Sequence, residues 1–588
     1  MSTMLADIRD PKDVQDLDGG GLNALAADVR SFLLRNISAT GGHIGANLGT
    51  IELTIAMHAC FRSPDVPFLF DTGHQGYTHK LLTGRAHLFP SLNKYDGMSR
   101  FLTHLESQHD PIEASHAGTA ISVGLGMALS RKLRGNEDHV VAVVGDSALV
   151  EGASLEALNH AAVEDTNLVV IVNDNGFAIS PGFGAVHEAL QSGDGKAKAL
   201  FESLGCTYIG PVDGHNIAEM TKALDEAKQA KSLPVVHAKT VKGNGWAPAD
   251  NHPFRLHFSF PFDPETGAPT GNSAPQKTYP DYAAQALERR MDSDDKITCI
   301  TPSTIYATGL AGIFSKYPDR CFDPGMEEQH ALTMTVGMAL DGAKPVIAYQ
   351  STFLQRAFDQ IIHDVCFMNV PTLILSARSG FSGYDNPTHH GIYDIAFLRS
   401  IPNLRVFYPK DGPELQTMID VALDELSGPT LIMMPYGPVH DFGLSSSTDK
   451  AGILKPEVFG DGDDMVMITV GNKFAAAREV QGHLDAKGLR TRLVNIRQIK
   501  PLPEQELMRL IGNTRKVAVI EEAVLDGGLG SQIGTMLLEN GYPGEFLRHG
   551  LPCKFIEPGS NEELEDIYKL DGKGLVETMR TKWLSLNL

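Results

Sequence analysis

Short apolar runs alternate with amphipathic stretches along most of the 588-residue chain. This alternation of buried-strand and helix patterns is typical of parallel sheets that are covered by helices on both faces. The apolar runs predict strands at 140–144, 168–172, 297–300, 346–349, 372–376, 465–470, 492–496 and 517–520. A helix is predicted from Leu354 onward, because one helical face would carry a continuous apolar stripe. The stripe consists of Ala357, Phe358, Ile361, Ile362 and Val365.

Two stretches interrupt this pattern and divide the chain into three. The first, 258–280, contains five prolines and two glycines, which exclude a helix or a central strand and favour a linker. The second, 437–464, is rich in serine, glycine and aspartate. The sequence therefore predicts three doubly wound α/β domains with mainly parallel sheets, at about 1–260, 280–440 and 465–588.

The composition and the net charge limit the kinds of protein that this chain can be and the partners that it can bind. Hydrophobic residues make up 42% of the chain and charged residues 21%, the balance of a globular protein. The formal net charge of −22 repels phosphate backbones and anionic membranes, so neither nucleic acid nor a membrane is an expected partner. No apolar stretch approaches the roughly 20 residues of a membrane span, and residues 1–18 lack an apolar signal core, so a soluble, cytoplasmic protein is expected.

The six cysteines are widely scattered and form no Cys-x-x-Cys motif. This spacing favours neither a zinc site nor a disulfide framework. Each is expected to be a small buried residue: Cys60, Cys206, Cys299, Cys321, Cys366 and Cys553.

The segment 140–175 carries the strongest chemical signal. It reads as a strand, a Gly-Asp-Ser turn, a helix, a second strand and Asn-Asp-Asn, which is one βαβ crossover. The crossover would place Asp146 and Asn175 at the carboxyl ends of two parallel strands, where open sheets bind ligands. Their oxygens suit Mg²⁺, which prefers one or two such groups together with phosphate oxygens, so a diphosphate cofactor is predicted. Without the spacing, two plain turns would explain these residues about equally well.

Asp146, followed 29 positions later by Asn175, resembles the thiamine-diphosphate signature of the transketolase superfamily. Further segments narrow the resemblance: 41–58, 71–85, 208–216, 327–333, 351–364 and 388–391. Together and in this order, they resemble the 1-deoxy-D-xylulose-5-phosphate synthase family over nearly the whole chain.

The resemblance implies two cofactors, thiamine diphosphate and Mg²⁺. It assigns the cation to Asp146, Asn175 and the backbone carbonyl of Phe177. Glu328 matches the family's glutamate, which hydrogen-bonds the aminopyrimidine and promotes loss of the thiazolium C2 proton. The remaining cofactor contacts implied by the resemblance are His74, Ser115, His116, Ala117, Ser147, Ala148, Phe353 and Trp246, the last at a family tyrosine position.

The resemblance also implies the reaction, in which pyruvate loses CO₂ and its two-carbon unit joins an aldehyde such as glyceraldehyde 3-phosphate. A single histidine in a fold of this size is more often structural than catalytic, and His79, His330 and His390 are predicted either to be structural or to support the residues that contact ligands. Imidazoles in the matched loops can move protons near neutral pH. The resemblance puts His43 and His257 near the donor, and Asp385 with His389 beside the reacting carbons.

The acceptor side departs from the family pattern. Arginines bind phosphate bidentately, and the resemblance implies that Arg356 and Arg378 lie near the acceptor. The family has a second phosphate-binding arginine in an Arg-Tyr-Pro-Arg segment. In this chain, Met433 and Tyr436 occupy the two arginine positions of that segment. Gln350 replaces a family tyrosine. We therefore expect Gln350 and Tyr436 to contact a substrate in a remodelled acceptor site.

Another departure is the connection 184–200, which is shorter than the family's lid-like segment. Two alternatives to the main function stay open. The chain could be a paralogue that uses another aldehyde or a ketose donor, or, less favoured, a non-catalytic relative. The resemblance further implies a homodimer and roles in isoprenoid and thiamine biosynthesis.

Overall fold

The computed structural model describes residues 4–271, 276–425, 427–440, 442 and 450–583. The chain forms two compact units. The first comprises 1–273 with 324–327, and the second comprises 274–323 with 328–588. The division into three domains at 1–260, 280–440 and 465–588 stays a prediction.

The first unit is built on a five-stranded sheet in which all strands are parallel. The strand order is β1-β2-β3-β5-β4. Strands β2 and β3 are apolar and fully buried along most of their length, because helices cover both faces of the sheet. The strands are β1 Phe68–Asp71, β2 Val140–Gly145, β3 Leu168–Asp174, β4 Thr207–Asp213 and β5 Pro234–Lys239.

Capping residues flank the longest helix of the first unit at both ends. The longest, Gly19–Thr40, begins where Asp18 accepts a hydrogen bond of 2.8 Å from the amide of Gly21. It ends at Gly41, whose φ of +73° favours glycine. The other α-helices are Met4–Asp7, Pro11–Gln15, Ile44–Leu48, Ile51–Cys60, Tyr77–Leu82, Ala120–Leu133, Asp146–Leu149, Gly152–Ala161, Ala185–Gln191, Lys196–Ser203, Ile217–Ala227 and Ala247–Asp250, with 3₁₀ turns at Gly73–Gln75 and Ala86–Ser91.

The second unit contains two sheets. The seven-stranded sheet has the order β15-β10-β11-β9-β8-β6-β7, and the five-stranded sheet has the order β12-β14-β13-β16-β17. Among the described strands of this unit, only β15 and β12, each at a sheet edge, pair antiparallel to their neighbours. The strands are β6 Ile297–Ile300, β7 Cys321–Phe322, β8 Lys344–Gln350, β9 Leu373–Ser379, β10 Arg405–Phe407, β11 Thr430–Pro435, β12 Glu457–Phe459, β13 Met465–Thr469, β14 Thr491–Asn495, β15 Gln498–Lys500, β16 Lys516–Val524 and β17 Glu545–Leu551.

Helices surround both of these sheets. Tyr279–Ser293 begins with a capping box formed by Thr278 and Asp281, with Pro280 in its first turn. The other α-helices are Ala311–Lys316, Glu328–Leu340, Ser351–Leu354, Phe358–Gln360, Asp394–Leu398, Gly412–Asp424, Lys450–Ile453, Lys473–Ala486, Glu504–Ile511, Leu529–Glu539, Asn561–Ile567 and Gly572–Lys582. Short 3₁₀ turns lie at Pro318–Arg320, Gln355–Ala357 and Pro387–His389, and a π-helical segment lies at Ile361–Phe367.

All eight predicted strands are present, and each predicted range overlaps its observed strand. The regular helix predicted from Leu354 is wrong in detail, because 351–367 combines α, 3₁₀ and π turns. The wider π spacing buries Cys366 together with Ile361, whereas Ile362 of the predicted stripe is 39% exposed.

Both predicted linkers contain more structure than expected. Pro280 belongs to the helix Tyr279–Ser293, because proline is tolerated in a first helical turn. Phe262 is buried against the core of the first unit. The second stretch includes Lys450–Ile453 and β12. Residues 272–275, 441 and 443–449 lie outside the described part of the chain.

Four of the six cysteines are buried as predicted. The prediction is wrong for Cys553, which is exposed, and Cys60 is only partly buried. Among the described residues, no helix has the length and apolar character needed to cross a membrane.

Candidate active site

The carboxyl edge of the first sheet brings Asp146 and Asn175 together. Strands β2 and β3 pair in parallel, so the residues that follow them emerge at the same edge. Oδ2 of Asp146 accepts a hydrogen bond of 2.9 Å from the amide of Gly176. Oδ1 of Asn175 accepts one of 3.1 Å from the amide of Phe177. All three residues of the predicted cation site therefore lie in two adjoining turns.

The two carboxylate oxygens of Asp146 differ in their hydrogen bonding. Oδ1 is buried and has no hydrogen-bond partner among the residues that the structure describes, and the same holds for Oγ of Ser147. Burial raises the pKa of Asp146 to about 7; the charge of Asp174 adds to this effect and Lys242 opposes it. A buried carboxylate oxygen without a donor is costly unless a cation or a proton satisfies it. This edge is therefore suited to a cation.

A buried lysine adds positive charge to the same edge. Nζ of Lys242 donates to the carbonyl of Ala178 and lies 3.2 Å from Nδ1 of His257. Burial lowers the pKa of Lys242 to about 8, and Asp146 opposes this shift. Within the described ranges, Lys242 forms no ion pair closer than 4.0 Å with any carboxylate. A buried ammonium group in this position is suited to an anionic ligand.

Three of the predicted histidines form one cluster. The ring centroids of His43 and His74 are 5.1 Å apart, those of His43 and His257 are 5.5 Å apart, and those of His74 and His257 are 4.9 Å apart. Burial, followed by the charge of Lys242, lowers the pKa of His74 to about 3 and that of His257 well below its ordinary value. The imidazoles of His74 and His257 are therefore neutral at physiological pH.

The turn that carries Ser115, His116 and Ala117 is fastened to the His74 loop. Gly73 donates its amide to the carbonyl of Ala114 across 2.6 Å. After the turn, the carboxylate of Asp71 accepts three backbone amides, from Gly118, Thr119 and Ala120, at 2.8 to 3.0 Å. Asp71 thus fixes both the turn and the helix Ala120–Leu133. Sequence reasoning did not single out Asp71, although it ends a buried strand.

Trp246 has a structural position. Its indole is buried in the hydrophobic core of the first unit, 5.0 Å from the ring of Phe262. Its Nε1 donates to the carbonyl of Pro264 across 2.8 Å. Ala148 is also buried in a hydrophobic core. The packing around Trp246 accounts for its burial without a ligand.

In the second unit, the carboxyl ends of β8 and β9 position further predicted residues. Glu328 begins the helix Glu328–Leu340 and is buried, and its carbonyl accepts a hydrogen bond of 2.9 Å from the hydroxyl of Tyr349. Gln350 is buried at the end of β8. The ring centroids of Phe353 and His389 lie 5.6 Å apart in an edge-to-face arrangement.

Two predicted acceptor-side residues, Arg378 and Tyr436, form a cluster with the predicted catalytic residue Asp385 in the second unit. The guanidinium of Arg378 pairs with the carboxylate of Asp385 and lies 4.9 Å from the ring centroid of Tyr436. Arg378 has a φ of +63°, an uncommon conformation for a residue other than glycine. Arg356 is half-buried in the 3₁₀ turn Gln355–Ala357, and Met433 is buried in the hydrophobic core. Of the two residues at the family's arginine positions, only Tyr436 reaches the surface.

The sequence analysis did not single out one buried carboxylate of the second unit, that of Asp394. Oδ2 of Asp394 accepts hydrogen bonds from the hydroxyls of Ser351 at 2.7 Å and Ser379 at 3.1 Å. Burial raises the pKa of Asp394 to about 7, and the two hydroxyls oppose the shift. No motif marks this position, because both partners are distant in sequence.

The histidines predicted to be structural lie outside these clusters. His79 is buried, with Nδ1 2.9 Å from Nε2 of His58. His390 accepts the amide of Ser382 at Nδ1 across 2.9 Å, and burial lowers its pKa to about 4. His330 is exposed on the helix Glu328–Leu340.

Family models match three consecutive parts of the chain. The family model described as 1-deoxy-D-xylulose-5-phosphate synthase matches residues 5–198 and 193–240. Models of the transketolase pyrimidine-binding domain and C-terminal domain match 276–439 and 455–575. The 1-deoxy-D-xylulose-5-phosphate synthase 1 of Geobacter sulfurreducens is 37% identical, over 98% of this chain and 96% of its own. The chain belongs to the 1-deoxy-D-xylulose-5-phosphate synthase family.

Other similar proteins include the 1-deoxy-D-xylulose-5-phosphate synthase of Geobacillus thermodenitrificans, which is 38% identical over 98% of each chain. Among solved structures, a transketolase from Campylobacter jejuni is 16% identical, with a TM-score of 0.46 over 96% of this chain and 100% of its own. Membership of the 1-deoxy-D-xylulose-5-phosphate synthase family confirms the predicted resemblance, the α/β class with mainly parallel sheets and the class of thiamine-diphosphate-dependent transferases.

Proposed function

We propose that this chain decarboxylates pyruvate and transfers the two-carbon unit to an aldehyde such as glyceraldehyde 3-phosphate, using thiamine diphosphate and Mg²⁺. One observation carries the proposal: in a chain of this family, the buried Oδ1 of Asp146 has no hydrogen-bond donor within the described residues. The neighbouring buried ammonium of Lys242 also lacks a carboxylate partner there. A cation and a diphosphate would satisfy both groups.

The residues at this edge fit the two cofactors. Asp146, Asn175 and the carbonyl of Phe177 would hold the cation, and Lys242 and Ser147 would face the diphosphate. No group of three or more His, Cys, Asp or Glu residues in the described ranges could hold a metal ion, so the proposed site would combine the carboxylate of Asp146 with amide, carbonyl and phosphate oxygens. Thiamine diphosphate, when bound, supplies the thiazolium carbon that carries the two-carbon unit.

The histidine cluster would orient the keto acid. Lys242 is an ammonium at neutral pH, so its contact with Nδ1 of His257 makes that nitrogen the acceptor. The ring proton of His257 then lies on Nε2, which can donate to a carbonyl oxygen of the substrate. Because His74 and His257 are neutral, they add no charge next to Lys242 and can bind the keto acid through hydrogen bonds.

The second unit carries its own set of predicted contact residues. We propose that Glu328 hydrogen-bonds the aminopyrimidine, next to an apolar contact from Phe353. His389 and Asp385 would serve the reacting carbons, with Arg356, Arg378 and Gln350 on the acceptor side. The buried position of Glu328 and the packing of Phe353 on His389 support these assignments.

The test is the release of CO₂ from pyruvate by the purified chain with thiamine diphosphate and Mg²⁺, with and without glyceraldehyde 3-phosphate. We expect CO₂ release in the presence of the aldehyde and a five-carbon sugar phosphate as the product. The variant Asp146→Asn serves as the inactive control. Absence of pyruvate turnover under these conditions would contradict the proposal.

A second candidate function keeps the cofactors and changes the acceptor. It is favoured by one observation: Arg378 is already paired with Asp385 and covered by the ring of Tyr436. A guanidinium engaged in this way has less capacity for a phosphate group. The test is a set of aldehydes, with and without phosphate, offered together with pyruvate and read by mass spectrometry. A preference for an aldehyde without phosphate would establish the second candidate.

The proposal also covers the oligomeric state and the cellular location of the chain. We propose a homodimer, which light scattering of the purified chain would test, and a cytoplasmic location, which fractionation of cells would test. The family membership supports a role in isoprenoid biosynthesis, and a role in thiamine biosynthesis stays a prediction. A non-catalytic relative is less favoured, because Asp146, Asn175 and Glu328 are all retained.

A further inference from the structure

The helix Ala185–Gln191 carries a histidine that the sequence analysis did not single out. Nδ1 of His187 lies 3.9 Å from Oδ2 of Asp146. This nitrogen is buried and has no hydrogen-bond partner in the part of the chain that the structure describes. The ring also lies tightly against Gly182, since a Cβ atom at that position would approach Nδ1 to 2.3 Å. His187 is therefore held with an unsatisfied polar atom next to the predicted cation ligand.

The segment around His187 is anchored at both ends to the turn after β3. At one end, Gly182 donates its amide to the carbonyl of Gly176 across 2.9 Å. At the other end, the side chain of Gln191 pairs with Asp174, the last residue of β3. Nζ of Lys239 also donates to Oε1 of Gln191, across 2.8 Å. These contacts fix the position of the short helix beside Asp146.

The surroundings of His187 indicate which of its ring nitrogens carries the proton. A lone pair on Nδ1 would be repelled by the carboxylate of Asp146, so the ring is expected to present Nδ1–H to Oδ2. The separation of 3.9 Å is longer than a hydrogen bond, and an approach of about 1 Å would form one. Oδ2 already accepts the amide of Gly176. A second donor on Oδ2 would leave Oδ1 as the oxygen that binds a cation.

We propose that His187 is a positioning residue of the cation site, donating from Nδ1 to Oδ2 of Asp146 so that Oδ1 is directed at the divalent ion. The inference rests on the proposed function, because it concerns the cation that accompanies thiamine diphosphate. Donors that hold a metal-binding side chain in place commonly change metal affinity about 10- to 100-fold when they are removed. The position lies in the connection 184–200, which the sequence analysis predicts to be shorter than in the family.

The experiment measures Mn²⁺ binding to the full chain in the presence of thiamine diphosphate, from the loss of the electron paramagnetic resonance signal of free Mn²⁺. His187→Phe keeps a ring against Gly182 and removes the donor. His187→Asn keeps an N–H group close to the place of Nδ1. The matched control is His160→Phe, at an exposed histidine paired with Glu164 on the helix Gly152–Ala161.

We expect His187→Phe to raise the Kd of Mn²⁺ about 10-fold or more, and His187→Asn to stay within about threefold of the unchanged chain. His160→Phe should bind like the unchanged chain, and the unfolding temperature without cofactors should be the same for all variants. Unchanged affinity in His187→Phe would overturn the inference. Equal losses in His187→Phe and His187→Asn, accompanied by lower unfolding temperatures, would also overturn it, since they would indicate a packing role. Failure of the unchanged chain to bind Mn²⁺ would instead contradict the proposed function.

Discussion

The amide of Gly176 donates a hydrogen bond of 2.9 Å to Oδ2 of Asp146, which ties the turn after β3 to the residue after β2. Gly176 has a φ of +76°, a conformation that favours glycine. The backbone thus engages one carboxylate oxygen and leaves Oδ1 without a partner among the residues described. This division of the carboxylate is the structural basis of the proposed cation site.

Replacing the buried lysine should change stability and cofactor affinity in opposite directions. Lys242→Met removes a buried charge without a carboxylate partner in the described ranges, so the free energy of unfolding without cofactors should rise by about 1 to 3 kcal/mol. The same change should weaken thiamine diphosphate binding at least about tenfold, through loss of a charged hydrogen bond. Urea unfolding and calorimetry would measure the two effects. Unchanged affinity would count against the role of Lys242, and the exposed Lys132→Met is the control.

Asp394 should make stability depend on pH. Its folded pKa is raised from 3.8 to about 7, so the folded chain keeps a proton that the unfolded chain releases between about pH 4 and pH 7. The free energy of unfolding therefore falls as the pH rises through this range, with a limit on the order of 4 kcal/mol. Asp394→Asn should be more stable than the unchanged chain at pH 8 and similar to it at pH 4. Thermal unfolding at both values measures this, and equal differences at the two would refute it.

Arginine at position 436 should improve the use of a phosphorylated acceptor. Tyr436 is 37% exposed and lies next to Arg378, so Tyr436→Arg would place a second guanidinium beside the first. A charged hydrogen bond of about 1.5 to 3 kcal/mol corresponds to roughly a 10- to 100-fold lower KM for glyceraldehyde 3-phosphate. The KM for glyceraldehyde without phosphate should not fall. The control Tyr436→Phe keeps the ring over Arg378, and an equal improvement in this control would argue against a phosphate contact.

A buried ion cluster should dominate the stability of the second unit. Oε1 of Glu414 accepts from Nε of Arg497 at 2.5 Å and from Nζ of Lys410 at 3.1 Å, and all three side chains are buried. Glu414→Gln would leave two cations with less compensation, so the free energy of unfolding should fall by about 3 to 5 kcal/mol. Denaturant unfolding measures the loss. Glu425→Gln, at a half-exposed glutamate, should change stability by less than about 1 kcal/mol, and similar losses in both would contradict the assignment.

The strands could be predicted, and the proposed cation ligands could be singled out, because their signals are local. A fully buried parallel strand is apolar along its length, so runs such as 140–144 stand out in the sequence. Asp146 and Asn175 directly follow two such runs, and the parallel pairing of the strands brings them to one edge. The histidines His43, His74 and His257 could be predicted as candidates only through the resemblance, which tied them to a known chemistry.

The remaining features depend on contacts between residues that are distant in sequence. Lys242 and His187 gain their significance from their positions near Asp146, and neither lies in an apolar pattern. Strand β15 falls within the third predicted domain, 465–588. It nevertheless pairs with β10 of the seven-stranded sheet, which no local pattern indicates. The mixed helical segment 351–367 shares its apolar spacing with a regular helix, so periodicity alone could not reveal the π turn.

The central claim is that Asp146 binds a divalent cation together with thiamine diphosphate. The most direct measurement is calorimetric titration of thiamine diphosphate into the purified chain, with Mg²⁺ and with a chelator, for the unchanged chain and for Asp146→Asn. We predict binding that requires Mg²⁺ and is lost in Asp146→Asn while the fold persists. Binding that is equally tight with the chelator and in Asp146→Asn would contradict the account.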